Sequence, residues 1–141
     1  MKERCPSASF VGGAMLPDHR LAFSRKSKKR QCGVADVVAA ASCQVWGVVF
    51  EISDLDLRSL DKSEGYRPGR LANNSYVRRE CRVLLDGDDN RSLTVSTYFA
   101  EREATPPAPN QAYMRQILAG ARYWHLPAAY ISDLERIEVR G

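Results

Sequence analysis

A chain of 141 residues, 44% hydrophobic and 27% charged, is long enough for one buried core and is read as a single domain over residues 1–141. This composition excludes a disordered, collagen-like or disulfide-dense chain. With 21 basic and 17 acidic residues the net charge is +4, and two histidines and four cysteines leave little material for a metal site.

No apolar run approaches the roughly 20 residues a membrane helix requires, so no membrane span is expected. Cys5, Cys32, Cys43 and Cys81 lie far apart, with no C-x-x-C pair and no neighbouring His, which argues against zinc. Cys43 and Cys81 fall in apolar or alternating segments and are expected as small buried thiols. Met1-Lys2-Glu3-Arg4 lacks the apolar core of an export signal, which makes a reducing cytoplasm the expected compartment.

From Phe10 to Ala100 the pattern is mainly that of strands. Leu21-Ala22-Phe23 is short and apolar, and Val34 to Ala39 and Cys43 to Ile52 are rich in β-branched residues. One helix interrupts them. Ser53 is placed to cap it, with Asp56 three residues on as a variant of the capping box and Ile52 and Leu57 at the staple positions. Leu57 and Leu60 continue its apolar stripe, and Gly65 is placed to end it, which sets Glu64 at the exit.

Between Ser75 and Leu85 the alternation puts Val77, Cys81, Val83 and Leu85 on one face and Arg78, Glu80 and Arg82 on the other. Asp86-Gly87-Asp88-Asp89-Asn90 has turn chemistry, and Leu93, Val95, Thr97 and Phe99 resume the period of two, so the pair reads as a hairpin. The proline-bearing stretch Glu101 to Pro109 is a connecting loop. Tyr113, Ile117, Ala121 and Trp124 recur at helical spacing until Pro127, which opens a last helix with Tyr130, Ile131, Leu134 and Ile137 as its apolar face. Strands first and helices last imply an α+β fold with an antiparallel or mixed sheet.

Most catalytic signatures are missing: no Walker-type loop, no G-x-G-x-x-G, no H-E-x-x-H and no G-x-S-x-G. His19 follows Pro17-Asp18 in a turn and His125 lies at a helix end, so neither suggests a catalytic base and proton chemistry would fall to a carboxylate. The run Arg25-Lys26-Ser27-Lys28-Lys29-Arg30 could contact phosphates, yet the net charge of +4 and the lack of interleaved aromatics argue against a dedicated nucleic-acid binder. A solvated loop between strands is the simpler reading.

Val45-Trp46-Gly47-Val48-Val49-Phe50 followed by Leu60-Asp61 and Glu64-Gly65 resembles the γ-glutamylcyclotransferase-like family. The resemblance continues in order through Tyr76-Val77-Arg78-Arg79, Tyr98, Pro106-Pro107-Ala108-Pro109 with Tyr113, and Gly120-Ala121-Arg122 before Leu126-Pro127. Upstream, Arg4-Cys5-Pro6-Ser7-Ala8 and Leu21-Ala22-Phe23 also fit. The fold implied is a small mixed β-barrel with packed helices.

The resemblance further implies that Glu64 is the general acid/base of an intramolecular aminolysis. The α-amine of a γ-glutamyl group attacks its own γ-carbonyl and releases 5-oxoproline and an amine, amino acid or peptide. Such a reaction needs no cofactor and no metal, and the expected partner is a small γ-glutamyl molecule. Tyr113 matches a substrate-contacting tyrosine and Tyr76 and Tyr98 match pocket aromatics, although their spacing suits core or sheet packing as well.

The family pattern opens with a strand ending in Tyr-Gly-Ser-Asn, and Met1 here lies only four residues before Cys5. A chain without that strand is expected to expose strand edges, to pair with another copy as a homodimer, and to lose oxyanion-binding backbone N–H groups. The alternative reading is therefore a non-catalytic small-molecule-binding or interaction protein on the same fold. The leaving group, set by the loop from Tyr66 to Ser75 and by Pro106 to Pro109, is not readable.

Overall fold

The computed structural model describes residues 5–27, 32–69, 76–100 and 106–139. Two long strands, β1 (Ser9–Ser27) and β2 (Cys32–Glu51), precede a helix, α1 (Asp54–Ser63). A second hairpin, β3 (Tyr76–Leu85) and β4 (Ser92–Ala100), leads to α2 (Gln111–Tyr123) and α3 (Ala128–Glu135). The sheet is antiparallel in the order β2-β1-β3-β4.

The two separate apolar runs expected at Val34–Ala39 and Cys43–Ile52 are one strand with a kink. Pro17 pairs with Gln44 and His19 with Ala39, so β2 carries extra residues opposite Asp18. Asp18 and Ser42 both adopt positive φ, and the Ser42 N–H donates to Asp18 Oδ1 at 3.2 Å. That outward loop explains why Cys43 is exposed, against the expectation of a buried thiol, while Cys81 is half-buried and Cys5 is fully buried. The local alternation around Cys43 is unchanged; the bulge turns it outward.

The other elements form where their local chemistry places them. In the β3–β4 turn Asp86 (φ 53°) and Gly87 (φ 73°) take the left-handed conformations that two-strand turns require. Asn110 caps α2 by accepting from the Tyr113 N–H at 2.8 Å. Trp124 at the end of α2 stacks on Phe10 at 4.7 Å between centroids and meets Phe50 edge-on at 5.6 Å, which seats the helix on the β1–β2 hairpin. Pro127 opens α3, whose Leu134 is buried and whose Tyr130 and Ile131 are half-buried; Ile137 lies beyond the helix end.

Two core clusters hold the chain. Ala14, Leu16 and Val83 are surrounded by Val37, Val45, Val49, Cys81, Leu85, Leu93 and Val95. Cys5, Ala8 and Leu60 pack with Phe50, Ile52 and Tyr98, which fixes α1 against the sheet. Among the described residues no helix is long and apolar enough to cross a membrane.

The expected barrel is corrected to an open, curved sheet. Closure would require a ladder between β2 and β4, and in the described residues these are the two edges. They face each other across an apolar cleft of about 740 Å³ walled by residues such as Val45, Val49, Leu93 and Val95. At one end the Asp36 carboxylate on β2 bridges the gap, accepting the Ala100 N–H of β4 at 2.9 Å.

Candidate active site

Helix α1 delivers Glu64. Ser53 is its N-cap and accepts the Asp56 N–H at 3.1 Å, as the sequence predicts. The reciprocal half of the capping box goes elsewhere: Ser7, 46 residues away in sequence, accepts the Ser53 N–H at 2.9 Å. Asp56 turns to Ser7 instead, taking its N–H at 2.8 Å together with its hydroxyl. These bonds hold the Asp56 carboxyl below its ordinary range, the hydroxyl contributing most.

The C-terminal end of α1 is a complete Schellman motif. Gly65 (φ 69°) occupies the left-handed position; its N–H donates to the Lys62 carbonyl at 3.1 Å and the Tyr66 N–H donates to the Asp61 carbonyl at 2.9 Å. A side chain is disfavoured at that φ, so the Glu-Gly pair is a structural unit: glycine turns the chain and Glu64, half-buried, is left at the C-cap.

Below Glu64 the helix is anchored by a buried carboxylate. Asp61 is 4% exposed. Arg78 of β3 grips it in a two-pronged pair, Nε to Oδ1 at 2.9 Å and Nη2 to Oδ2 at 3.3 Å, and the Tyr98 hydroxyl of β4 donates to the same Oδ1 at 2.5 Å. The Arg78 guanidinium also lies over the Tyr66 ring, 5.8 Å from its centroid. Alternation alone assigned Arg78 to the polar face of β3; that face carries the ion pair.

Tyr76 and Tyr113 converge on one residue of β2, Ala35. The Tyr76 hydroxyl donates to the Ala35 carbonyl at 3.0 Å, and the Ala35 N–H donates to the Tyr113 hydroxyl oxygen at 2.9 Å. Burial foremost pushes the Tyr76 hydroxyl well above its usual range; the Tyr113 hydroxyl and the Glu64 and Asp36 carboxylates add to this, and Arg25 opposes it. Burial likewise raises Tyr98, with its bond to Asp61 next and Glu64 adding. Glu64 thus acts electrostatically on two tyrosines from different strands.

The four residues singled out from the sequence therefore fall around one region, where the Tyr76 and Tyr98 hydroxyls already donate their protons to Ala35 and Asp61. Asp61 and Arg78 join them, two residues that the motifs contain without marking a role. A signal existed: Leu57, Leu60, Asp61 and Glu64 follow the i, i+3, i+4, i+7 spacing of one helix face, so an Asp stands within an apolar stripe. Of the basic run, Arg25 is half-buried near the end of β1, Lys26 is exposed, and residues 28–30 lie outside the described residues. Most of the 66–75 loop and residues 101–105 are outside them as well. Among the described residues no group of three or more His, Cys, Asp or Glu is placed to hold a metal ion.

The chain is similar to known proteins over most of its length. A model of the AIG2-like family matches residues 44–134, which contain α1, Glu64, Tyr76, Tyr98 and Tyr113. The chain is 33% identical over 140 residues to a Bos taurus gamma-glutamylcyclotransferase and 32% identical to one from Homo sapiens, covering 96% of this chain and 70% of each relative. A solved structure of a gamma-glutamyl cyclotransferase superposes with a TM-score of 0.84 at 30% identity, over 99% of this chain and 80% of that one. The chain belongs to the AIG2-like family and is a homologue of the γ-glutamylcyclotransferases.

Proposed function

We propose that the chain converts a γ-glutamyl amino acid, peptide or amine into 5-oxoproline and the free amine, with Glu64 moving the protons. The observation that carries this reading is the position of Glu64: a half-buried carboxylate at the Schellman end of α1 whose charge acts on the half-buried tyrosines Tyr76 and Tyr98.

The chemistry suits one carboxylate. A substrate α-ammonium is protonated near neutral pH and is no nucleophile until a base removes a proton. Glu64 takes that proton, the amine attacks the γ-carbonyl of the same molecule, and a tetrahedral intermediate forms. On collapse the C–N bond to the leaving group breaks. Two protons leave the attacking nitrogen as it becomes the lactam N–H, and two end on the departing amine as it becomes an ammonium. Glu64 relays them and finishes in its starting state. Because nucleophile and electrophile share one molecule, the protein's other task is to hold that molecule folded for attack. The rings of Tyr76, Tyr98 and Tyr113, locked by hydrogen bonds to Ala35 and Asp61, supply rigid walls for this.

The test is 5-oxoproline release from a panel of γ-glutamyl amino acids and amines by the wild-type chain and Glu64→Gln. Loss of about 10²-fold or more in turnover is expected for the variant. Unchanged turnover would remove Glu64 from the role. Saturable binding of a γ-glutamyl compound by calorimetry, with no release, would instead favour a binding protein on the same fold.

A further inference from the structure

Glu64 is not the only carboxylate on its helix turn. Asp61 stands three residues earlier, on the neighbouring surface position of the helix. A second carboxylate this near along the helix repels the Glu64 charge unless it is compensated. Asp61 is almost fully buried, whereas Glu64 is half-buried, so the pair cannot relax by both turning to water. The fold resolves this through two strands: Arg78 reaches from β3 with both prongs and Tyr98 from β4 with a 2.5 Å hydrogen bond. The carbonyl of the same Asp61 closes the Schellman turn by accepting the Tyr66 N–H.

We propose that Asp61, Arg78 and Tyr98 form a positioning network for Glu64, fixing the helix end that carries it and cancelling the carboxylate charge nearest to it along the chain. The proposal rests on the assignment of Glu64 to proton transfer. It goes beyond that assignment by giving Asp61 and Arg78 a role through Glu64, and by giving Tyr98 one in addition to the wall its ring offers substrate.

On its own element Asp61 and Lys62 are the charges nearest Glu64 in sequence. Tyr76 of β3 and Tyr98 of β4 both feel its charge; Arg78 of β3 holds Asp61, and Asp36 of β2, Arg25 of β1 and Tyr113 of α2 act on the same Tyr76. Burial foremost raises the Tyr98 hydroxyl; Asp61 and Glu64 add to it and Arg78 opposes them. Removing one member of the ion pair should therefore unbalance the field at Glu64 in a direction set by which member is lost. Asp61→Asn leaves the Arg78 charge uncompensated and favours the ionised Glu64. Arg78→Gln leaves the Asp61 charge uncompensated and disfavours it.

The experiment follows the Glu64 side-chain carboxyl carbon by NMR titration in the full chain, beside the pH profile of kcat/KM for 5-oxoproline release. Asp61→Asn is expected to lower the Glu64 midpoint and Arg78→Gln to raise it, each by about half a pH unit or more; the double variant returns it toward wild type. Arg78→Lys keeps the charge and the fold while giving up the planar fork, so its midpoint stays near wild type while kcat falls. If Arg78→Gln fails to fold, the isosteric Asp61→Asn and Arg78→Lys still decide the matter. A Glu64 midpoint unmoved in folded Asp61→Asn overturns the network, as does a shift of the same sign in both single charge-removing variants. A wild-type chain that releases no 5-oxoproline would refute the assignment of Glu64 to turnover, a separate outcome, because the NMR titration does not depend on activity.

Discussion

Substituting Gly33 by Ala tests how tightly β2 is held against the segment that leads into α2. A Cβ at Gly33 would lie 1.9 Å from the carbonyl oxygen of Pro107, 3.1 Å from its carbonyl carbon and 3.2 Å from Phe23 Cβ. The first two are backbone atoms, so no rotamer change relieves the clash. The strand and the proline segment would have to separate by more than an ångström, breaking the Gly33 N–H bond to the Ala108 carbonyl, now 3.0 Å. Losing that bond costs about 1 kcal/mol, and the strained or opened packing adds about 2 kcal/mol. For a chain of this length the sum of about 3 kcal/mol lowers the melting temperature by about 10 °C.

The displacement also reaches the site, since Ala35, two residues along β2, holds both Tyr76 and Tyr113. Thermal unfolding followed by circular dichroism reads the effect, with Gly120→Ala as the control. In α2 a Cβ at Gly120 meets nothing within 4 Å outside its own helix, so Ala there should raise stability by about 0.5–1 kcal/mol. A Gly33→Ala protein that melts within about 2 °C of wild type would refute this account of the contact.

Two further expectations concern pH. Tyr98→Phe removes a hydrogen bond to a buried carboxylate and should cost about 2 kcal/mol at neutral pH. The hydroxyl is raised in the folded state, so its stabilisation is complete below the unfolded value of 10.0 and declines above it as the unfolded chain ionises. The gap between wild type and variant should therefore narrow in alkaline solution, and a gap constant to pH 11 would contradict it. At the other end, Ser7→Ala should lower the melting temperature by a few degrees at neutral pH. The Asp56 carboxyl is depressed by Ser7, so that contribution is full above 3.8 and fades as pH falls through the lower folded value. Melting curves from pH 7 to pH 3 that kept a constant offset would speak against the Ser7–Asp56 clasp.

Local chemistry was legible wherever a residue's backbone preference decided the outcome. Ser53 starts a helix because its side chain accepts an orphan N–H group, and Gly65 ends it because it tolerates positive φ. Asp86 and Gly87 turn the second hairpin for the same reason, and Pro127 opens α3. Glu64 and the three tyrosines were singled out by resemblance, and the fold brings them around one region. What alternation could not supply was the partner of each polar group. Arg78 reads as a solvent-facing residue of β3 until Asp61, 17 residues away, is brought beneath it.

Asp56 reads as the second half of a capping box until Ser7, 49 residues earlier in the chain, donates to its carboxylate and accepts the Ser53 N–H. The bulge at Asp18 and Ser42 turned Cys43 outward, and β2 and β4 came to face each other across a cleft without the ladder that would close a barrel. Helix caps and turns are contests among a few neighbouring dihedrals and are settled within the sequence. Ion pairs, strand edges and the charge that surrounds Glu64 depend on which distant segments meet, and only the packed chain decides that.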